Sequence, residues 1–128
     1  LHKIALFFVN EIEGREMTGE DDPEDIQHTF SRLSPNCQVV LTLGRHGAMA
    51  FDGTTVYRHG IYPVAVEDTT AAGDTFTGFY LASQMAGDPI PYSLELASKA
   101  SSIAVSRKGA SVSIPTLSDV KSFTLQPK

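Results

Sequence analysis

The chain has 128 residues, 41% hydrophobic and 20% charged, which suits one compact domain with its own core. Ten Lys and Arg against fifteen Asp and Glu leave a formal net charge of −5, which argues against a general nucleic-acid binder. No apolar run approaches the ~18 residues of a membrane-spanning helix, so no membrane partner is expected. The first nine residues, LHKIALFFV, lack the small-residue cleavage site of a secretory signal and read as a buried strand. Cys37 is the single cysteine; no internal disulfide can form, and a reducing, cytoplasmic location is expected.

In chain order, Ile4 to Val9 is a continuous apolar run, the mark of a strand buried on both faces, and it ends at Asn10. Asn10 to Gly19 is polar and reads as a turn with a short helix. DDPEDIQHTFSRL is a helix: Asp22 caps it, Pro23 suits its first position, Glu24 and Asp25 complement its dipole, and Ile26, Phe30 and Leu33 form its apolar face. The acidic cluster is thereby explained as a helix start. Val39 to Leu43 is a second buried strand, stopped by Gly44, and Gly44 to Gly47 is a tight turn. Ala48 to Phe51 and Thr54 to Arg58 form a hairpin about Asp52-Gly53. Ile61 to Val66 is extended, with Pro63 marking an edge.

Ala72 to Ala86 fits a helix with Ala72, Phe76, Phe79, Tyr80 and Met85 or Ala86 near one face, broken at Gly87-Asp88-Pro89. A second helix runs from about Tyr92 to Ser106, with Lys108-Gly109 as its end and Gly109 as its cap. Ile114-Pro115 is a turn, and Thr116 can cap a short final helix. Strands and helices alternate first and helices cluster later, so the fold class is α/β.

The stretch EDTTAAGDTFTG, Glu67 to Gly78, carries the chemistry. A helix start presents unpaired N–H donors and partial positive charge. Ala71, Ala72 and Gly73 are small enough to let an anion approach that backbone. Asp74, in the first turn, either complements the dipole or accepts a proton from a hydroxyl held against the anion; local physics alone leaves both open.

Asp68-Thr69-Thr70-Ala71-Ala72-Gly73-Asp74-Thr75-Phe76 resembles the second signature of the ribokinase-like (PfkB) carbohydrate kinases, with alanine at 71 where glycine is usual. VNEIEGREMTG resembles the Asn-x-x-Glu segment of that family, VVLTLGRHGA its Thr-x-Gly-x-x-Gly nucleotide turn, and ASSIAVSRKGASVSIP the C-terminal nucleotide and cation loop of ribokinases. The order and spacing agree over nearly the whole chain.

The resemblance implies an ATP-dependent phosphotransferase acting on a sugar hydroxyl, with Asp74 as base and Ala71, Ala72 and Gly73 as anion hole. It places Asn10 and Glu13 near the phosphates and Mg2+, with Glu13 acting through water. It places Thr42, Gly44 and Gly47 against the nucleotide and Ser98 near the adenine. A K+ site is implied at the Asp68 carboxylate and the carbonyls of Thr70, Ala104, Arg107, Gly109 and Ser113. It further implies that residues 1–128 form a single partial domain: the nucleotide-binding, C-terminal part of a Rossmann-type α/β/α sandwich, without the N-terminal half and lid that hold most sugar contacts. The expected partners are ATP, a small sugar, that N-terminal half and, through an exposed sheet edge, a second copy as a homodimer. The alternatives are a catalytically silent nucleotide-binding or oligomerisation module, and a relative acting on fructose or a nucleoside.

Overall fold

The structure, a computed structural model, describes residues 5–33, 36–62, 72–106 and 115–121. The chain divides into two compact units, Leu1–Arg58 and His59–Lys128. The fold class is α/β, as expected.

The first unit is built on a four-stranded sheet in the order β1-β2-β3-β4, with β1 Ala5–Asn10, β2 Cys37–Thr42, β3 Ala48–Phe51 and β4 Val56–His59. β1 and β2 are parallel, with Asn10 opposite Thr42, and β2 and β3 are antiparallel. Two helices, α1 Glu11–Thr18 and α2 Pro23–Leu33, make the crossover between the parallel pair. Val9, Ile26, Phe30, Val39, Leu41, Leu43 and Met49 form the core, joined by Phe7 and Val56. Each fully buried side chain of this size contributes about 1.5–3 kcal/mol of transfer free energy. Gly14 brings α1 close to α2: a Cβ there would stand 2.8 Å from Ile26 Cγ2.

Asp22 caps α2 as the sequence predicts, its Oδ1 accepting from Glu24 N at 2.9 Å and Asp25 N at 3.4 Å. Gln27, fully buried, donates from Nε2 to the Val39 carbonyl at 3.2 Å. Two expectations need correction. Leu33 does not belong to the buried face; it is 75% exposed at the end of α2, past the sheet's reach. β1 is not buried on both faces: among the described strands it lies at the sheet edge, and Leu6, Phe7 and Phe8 are half-buried. The short helix expected within Asn10 to Gly19 is formed, as α1, and closed by Gly19 at φ 74°.

The second unit pairs α3 Ala72–Met85 with α4 Ile90–Val105, followed by α5 Leu117–Lys121. Leu96, Ala100, Ile103 and Val120 form its core with Phe79 against them, and Phe76 stacks with Tyr80 at 6.0 Å. Met85, expected on the apolar face of α3, is 79% exposed. The turn between the helices is held by buried polar groups. Ser83 Oγ donates to Asp88 Oδ2 at 2.6 Å, Ser93 Oγ donates to Ser83 Oγ at 2.8 Å, and Gln84 Nε2 donates to Ser93 Oγ at 2.9 Å and to the Asp88 carbonyl at 3.0 Å. α4 ends where expected, at Val105 with Ser106 as its cap, whose N–H donates to the Ile103 carbonyl at 3.1 Å and whose Oγ donates to the same carbonyl at 2.7 Å; it opens two residues earlier than expected, at Ile90. The expected cap at Lys108-Gly109, the Ile114 turn and the extended stretch from Pro63 to Val66 lie outside the described residues.

Candidate functional site

In the first unit the predicted residues gather at the C-terminal ends of the two parallel strands, where open α/β sheets bind ligands. Asn10 is both the last residue of β1 and the N-cap of α1. Its Oδ1 accepts from Glu13 N at 2.8 Å, and Glu13 Oε1 accepts from Asn10 N at 3.1 Å, a reciprocal capping box. Both residues are exposed, and among the described residues Asn10 Nδ2 and Glu13 Oε2 make no further bond. They offer two N–H donors and one carboxylate oxygen, a set suited to phosphate and to a hydrated Mg2+.

Thr42 stands opposite Asn10, its Oγ1 3.5 Å from the Val9 carbonyl. Gly44–His46 forms a single 3-10 turn, closed by His46 N to the Leu43 carbonyl at 3.0 Å and Leu43 N to the Gly47 carbonyl at 2.8 Å. Gly44 has φ 57°, and Gly47 at φ 97°, ψ −143° occupies a region that essentially only glycine enters. An added Cβ on Gly44 meets nothing within 4 Å.

In the second unit Ala72, Gly73 and Asp74 open α3, and Gly73 and Asp74 are exposed. An added Cβ on Gly73 meets nothing within 4 Å, so the backbone of the first turn is open to approach. Asp74 lines a groove of about 250 Å3 with Thr75, Gly78, Phe79 and Ala82. Thr75 is 4% exposed, and its Oγ1 has no hydrogen-bond partner among the described residues. Ser98 is buried on α4, and Ala104 is buried in the last turn of that helix. Ala71, Asp68, Thr70, Arg107, Gly109 and Ser113 lie outside the described residues.

The predicted residues therefore come together in two groups, one in each unit: Asn10, Glu13, Thr42, Gly44 and Gly47, and the α3 start with Asp74. Sequence reasoning missed the capping box, although Asn10 with Glu13 three residues on is a legible sign of one. It also missed Thr75 as a buried hydroxyl beside Asp74, for which periodicity carries no sign.

Tyr62 is buried with its hydroxyl 3.4 Å from His59 Nε2, and His59 Nδ1 donates to the Gly60 carbonyl at 2.8 Å. Burial, and then the Glu95 carboxylate, push the Tyr62 phenol up to about 12. Burial also raises the Cys37 thiol above its ordinary range. Among the described residues no helix is long and apolar enough to cross a membrane.

Known proteins match this arrangement. The ribokinase of Schizosaccharomyces pombe is 46% identical over 91 residues, 69% of this chain and 28% of that protein. The ribokinase of Arabidopsis thaliana is 34% identical over 130 residues, 95% of this chain and 33% of that protein. The solved structure of Arabidopsis thaliana ribokinase complexed with ribose and ATP superimposes with a TM-score of 0.84 at 32% identity, over 94% of this chain and 42% of that one. The chain thus spans well under half the length of these relatives. The family model for pfkB family carbohydrate kinases matches residues 1–117, and the chain belongs to that family.

Proposed function

We propose that this chain is one partial domain of an ATP-dependent sugar kinase, nearest to ribokinase, in which it supplies the nucleotide-binding part and the catalytic base. The observation that carries this reading is Asp74 in the first turn of α3, exposed beside an unobstructed Gly73 at the head of a groove, within a match to the family over residues 1–117. Asp74 takes the proton from the attacking sugar hydroxyl. The N–H groups of Ala71, Ala72 and Gly73 stabilise charge on the moving phosphoryl group. Asn10 directs its amide donors to the phosphates. Glu13 keeps one oxygen in the helix cap and turns the other to the water shell of Mg2+, which neutralises phosphate charge when bound. Thr42 and the Gly44 to Gly47 turn border the nucleotide, and Ser98 lies towards the adenine. Asp68 with the carbonyls of Thr70, Ala104, Arg107, Gly109 and Ser113 would hold K+, a cation suited to carbonyl oxygens. The solved Arabidopsis thaliana relative, with ribose and ATP bound, supports ATP and a pentose as ligands.

The test is Asp74→Asn in a chain of the relatives' length, assayed against a panel of sugars and nucleosides with ATP, with and without potassium. Turnover should fall by about 10²- to 10⁴-fold while ATP affinity holds. Near-normal turnover would remove the base assignment. The match to an ATP-dependent 6-phosphofructokinase at 31% identity keeps a phosphorylated or other acceptor within the panel. A second reading is a catalytically silent nucleotide-binding module. It predicts nucleotide binding with no turnover on any acceptor.

A further inference from the structure

Asp52-Gly53 is the one Asp-Gly pair in the chain, and no Asn-Gly occurs. Every other aspartate precedes a residue that carries a Cβ. The pair lies in the loop 52–55 between β3 and β4, where all four residues are exposed. Asp52 Oδ1 accepts from Thr54 N at 2.9 Å and from Thr55 N at 2.8 Å, and Asp52 N–H donates to the Thr55 carbonyl at 3.4 Å. The side chain is thereby held over its own turn. Among the described residues, Asp52 Oδ2 and Gly53 N–H make no hydrogen bond. Gly53 stands at φ 99°, and nothing crowds it: an added Cβ would reach only Ser31 Oγ, at 4.0 Å.

The loop thus sets a nucleophile, an electrophile and a leaving group on adjacent residues. The two N–H donors on Oδ1 draw electron density from Cγ, and they stabilise negative charge on Oδ1 once Cγ becomes tetrahedral. Oδ2 is free to leave. Gly53 N is neither bonded nor shielded by a side chain of its own.

We infer that Asp52 is a site of spontaneous main-chain isomerisation, converting to isoaspartate within the folded protein. Gly53 N bonds to Asp52 Cγ while Oδ2 departs as water, taking the amide proton and one proton from solvent. The product is a five-membered cyclic imide. A second water then adds at the main-chain carbonyl of Asp52 and breaks its bond to Gly53 N. That nitrogen regains a proton, and the new carboxyl group returns one to solvent. Mass and charge end as they began. The main chain now runs through Cβ and Cγ and is one atom longer, the carboxylate sits on the former carbonyl carbon, and the N–H groups of Thr54 and Thr55 lose their acceptor. Neither step uses nucleotide or sugar, so the inference stands or falls apart from the kinase reading.

The test ages the folded protein at neutral pH for several weeks beside a synthetic peptide of residues 46–58, the segment that trypsin releases between Arg45 and Arg58. Isoaspartate is read in two ways: as a second chromatographic peak of unchanged mass, and as a methyl acceptor for a protein-isoaspartate methyltransferase. The folded protein should accumulate it at residue 52 at least as fast as the peptide does, with the other aspartates unchanged. Asp52→Glu, whose imide needs a six-membered ring, should abolish the product. Asp52→Asn keeps the Oδ1 acceptor and releases ammonia in place of water, and should reach the same isoaspartate sooner. Slower conversion in the folded protein than in the peptide would overturn the inference. So would methyl acceptance that survives Asp52→Glu, or an Asp52→Asn variant that converts no faster.

Discussion

Gly14 sets how closely α1 can lie on α2. Ile26 is fully buried and stiff at its branched Cβ, so it cannot yield to a Cβ standing 2.8 Å away. Gly14→Ala gains about 1 kcal/mol of helix propensity but loses about 1–3 kcal/mol to overpacking, so the urea midpoint should fall. A higher midpoint would mean that α1 shifts without cost. At Glu13 the two jobs of one carboxylate can be separated. Glu13→Gln keeps an acceptor for Asn10 N–H and should hold stability within about 0.5 kcal/mol, while Glu13→Ala loses that half of the box and about 0.5–1 kcal/mol more. If the carboxylate serves Mg2+, both variants lose the magnesium dependence of nucleotide affinity, and only the Ala variant also melts earlier. Tyr62 gives a pH signature. Its folded pKa of about 12 lies above the ordinary 10, so the folded state holds the proton more tightly than the unfolded one. Its contribution is complete below pH 10 and declines by about 1.4 kcal/mol per unit between about 10 and 12. Tyr62 should give its tyrosinate absorbance late, together with unfolding; loss of an early tyrosinate step in a Tyr62→Phe variant would contradict the burial of this phenol.

At the scale of elements, the turn between α3 and α4 is fixed by side chains more than by backbone. Ser93 is fully buried and exchanges bonds with Ser83 and Gln84, so Ser93→Ala should cost about 1–2 kcal/mol and speed amide exchange at the end of α3. Unchanged exchange there would reduce the cluster to decoration. Most elements were legible in the sequence because their cues are local. Asp22 before Pro23 announced α2, Gly87-Asp88-Pro89 ended α3, and the apolar run to Leu41 marked β2. What escaped was whatever depends on distant neighbours. Leu33 and Met85 fit the helical period, yet exposure is decided by what covers a face, and periodicity is silent on that. α1 was expected only as a short helix within a polar turn; what the reading lacked was the capping box that, with the Gly19 cap, holds it in place. In the candidate site, the turn glycines and Asp74 were legible as types at spacings. The buried Thr75 hydroxyl was not, because threonine in a helix is ordinarily solvated.

For the molecule as a whole, the edge that β1 forms among the described strands bears on behaviour in solution. β1 carries Leu6-Phe7-Phe8-Val9 at the edge of the described sheet, without a charge or a proline to discourage pairing. The 128-residue chain should therefore self-associate with rising concentration, and Leu6→Lys should weaken that association in sedimentation velocity. A chain that stays monomeric at high concentration would show that the edge is already covered.

Asn10 joins these scales, since it ends the strand, caps the helix and faces Thr42. A slip of β1 by one residue would turn Val9 out of the core, and would also pull Asn10 away from its cap and its neighbour. On the role proposed for Asn10, a phosphate would meet its amide donors only in the correct register. Nucleotide would then act as proofreader of the sheet, drawing the population towards the one strand alignment able to hold it.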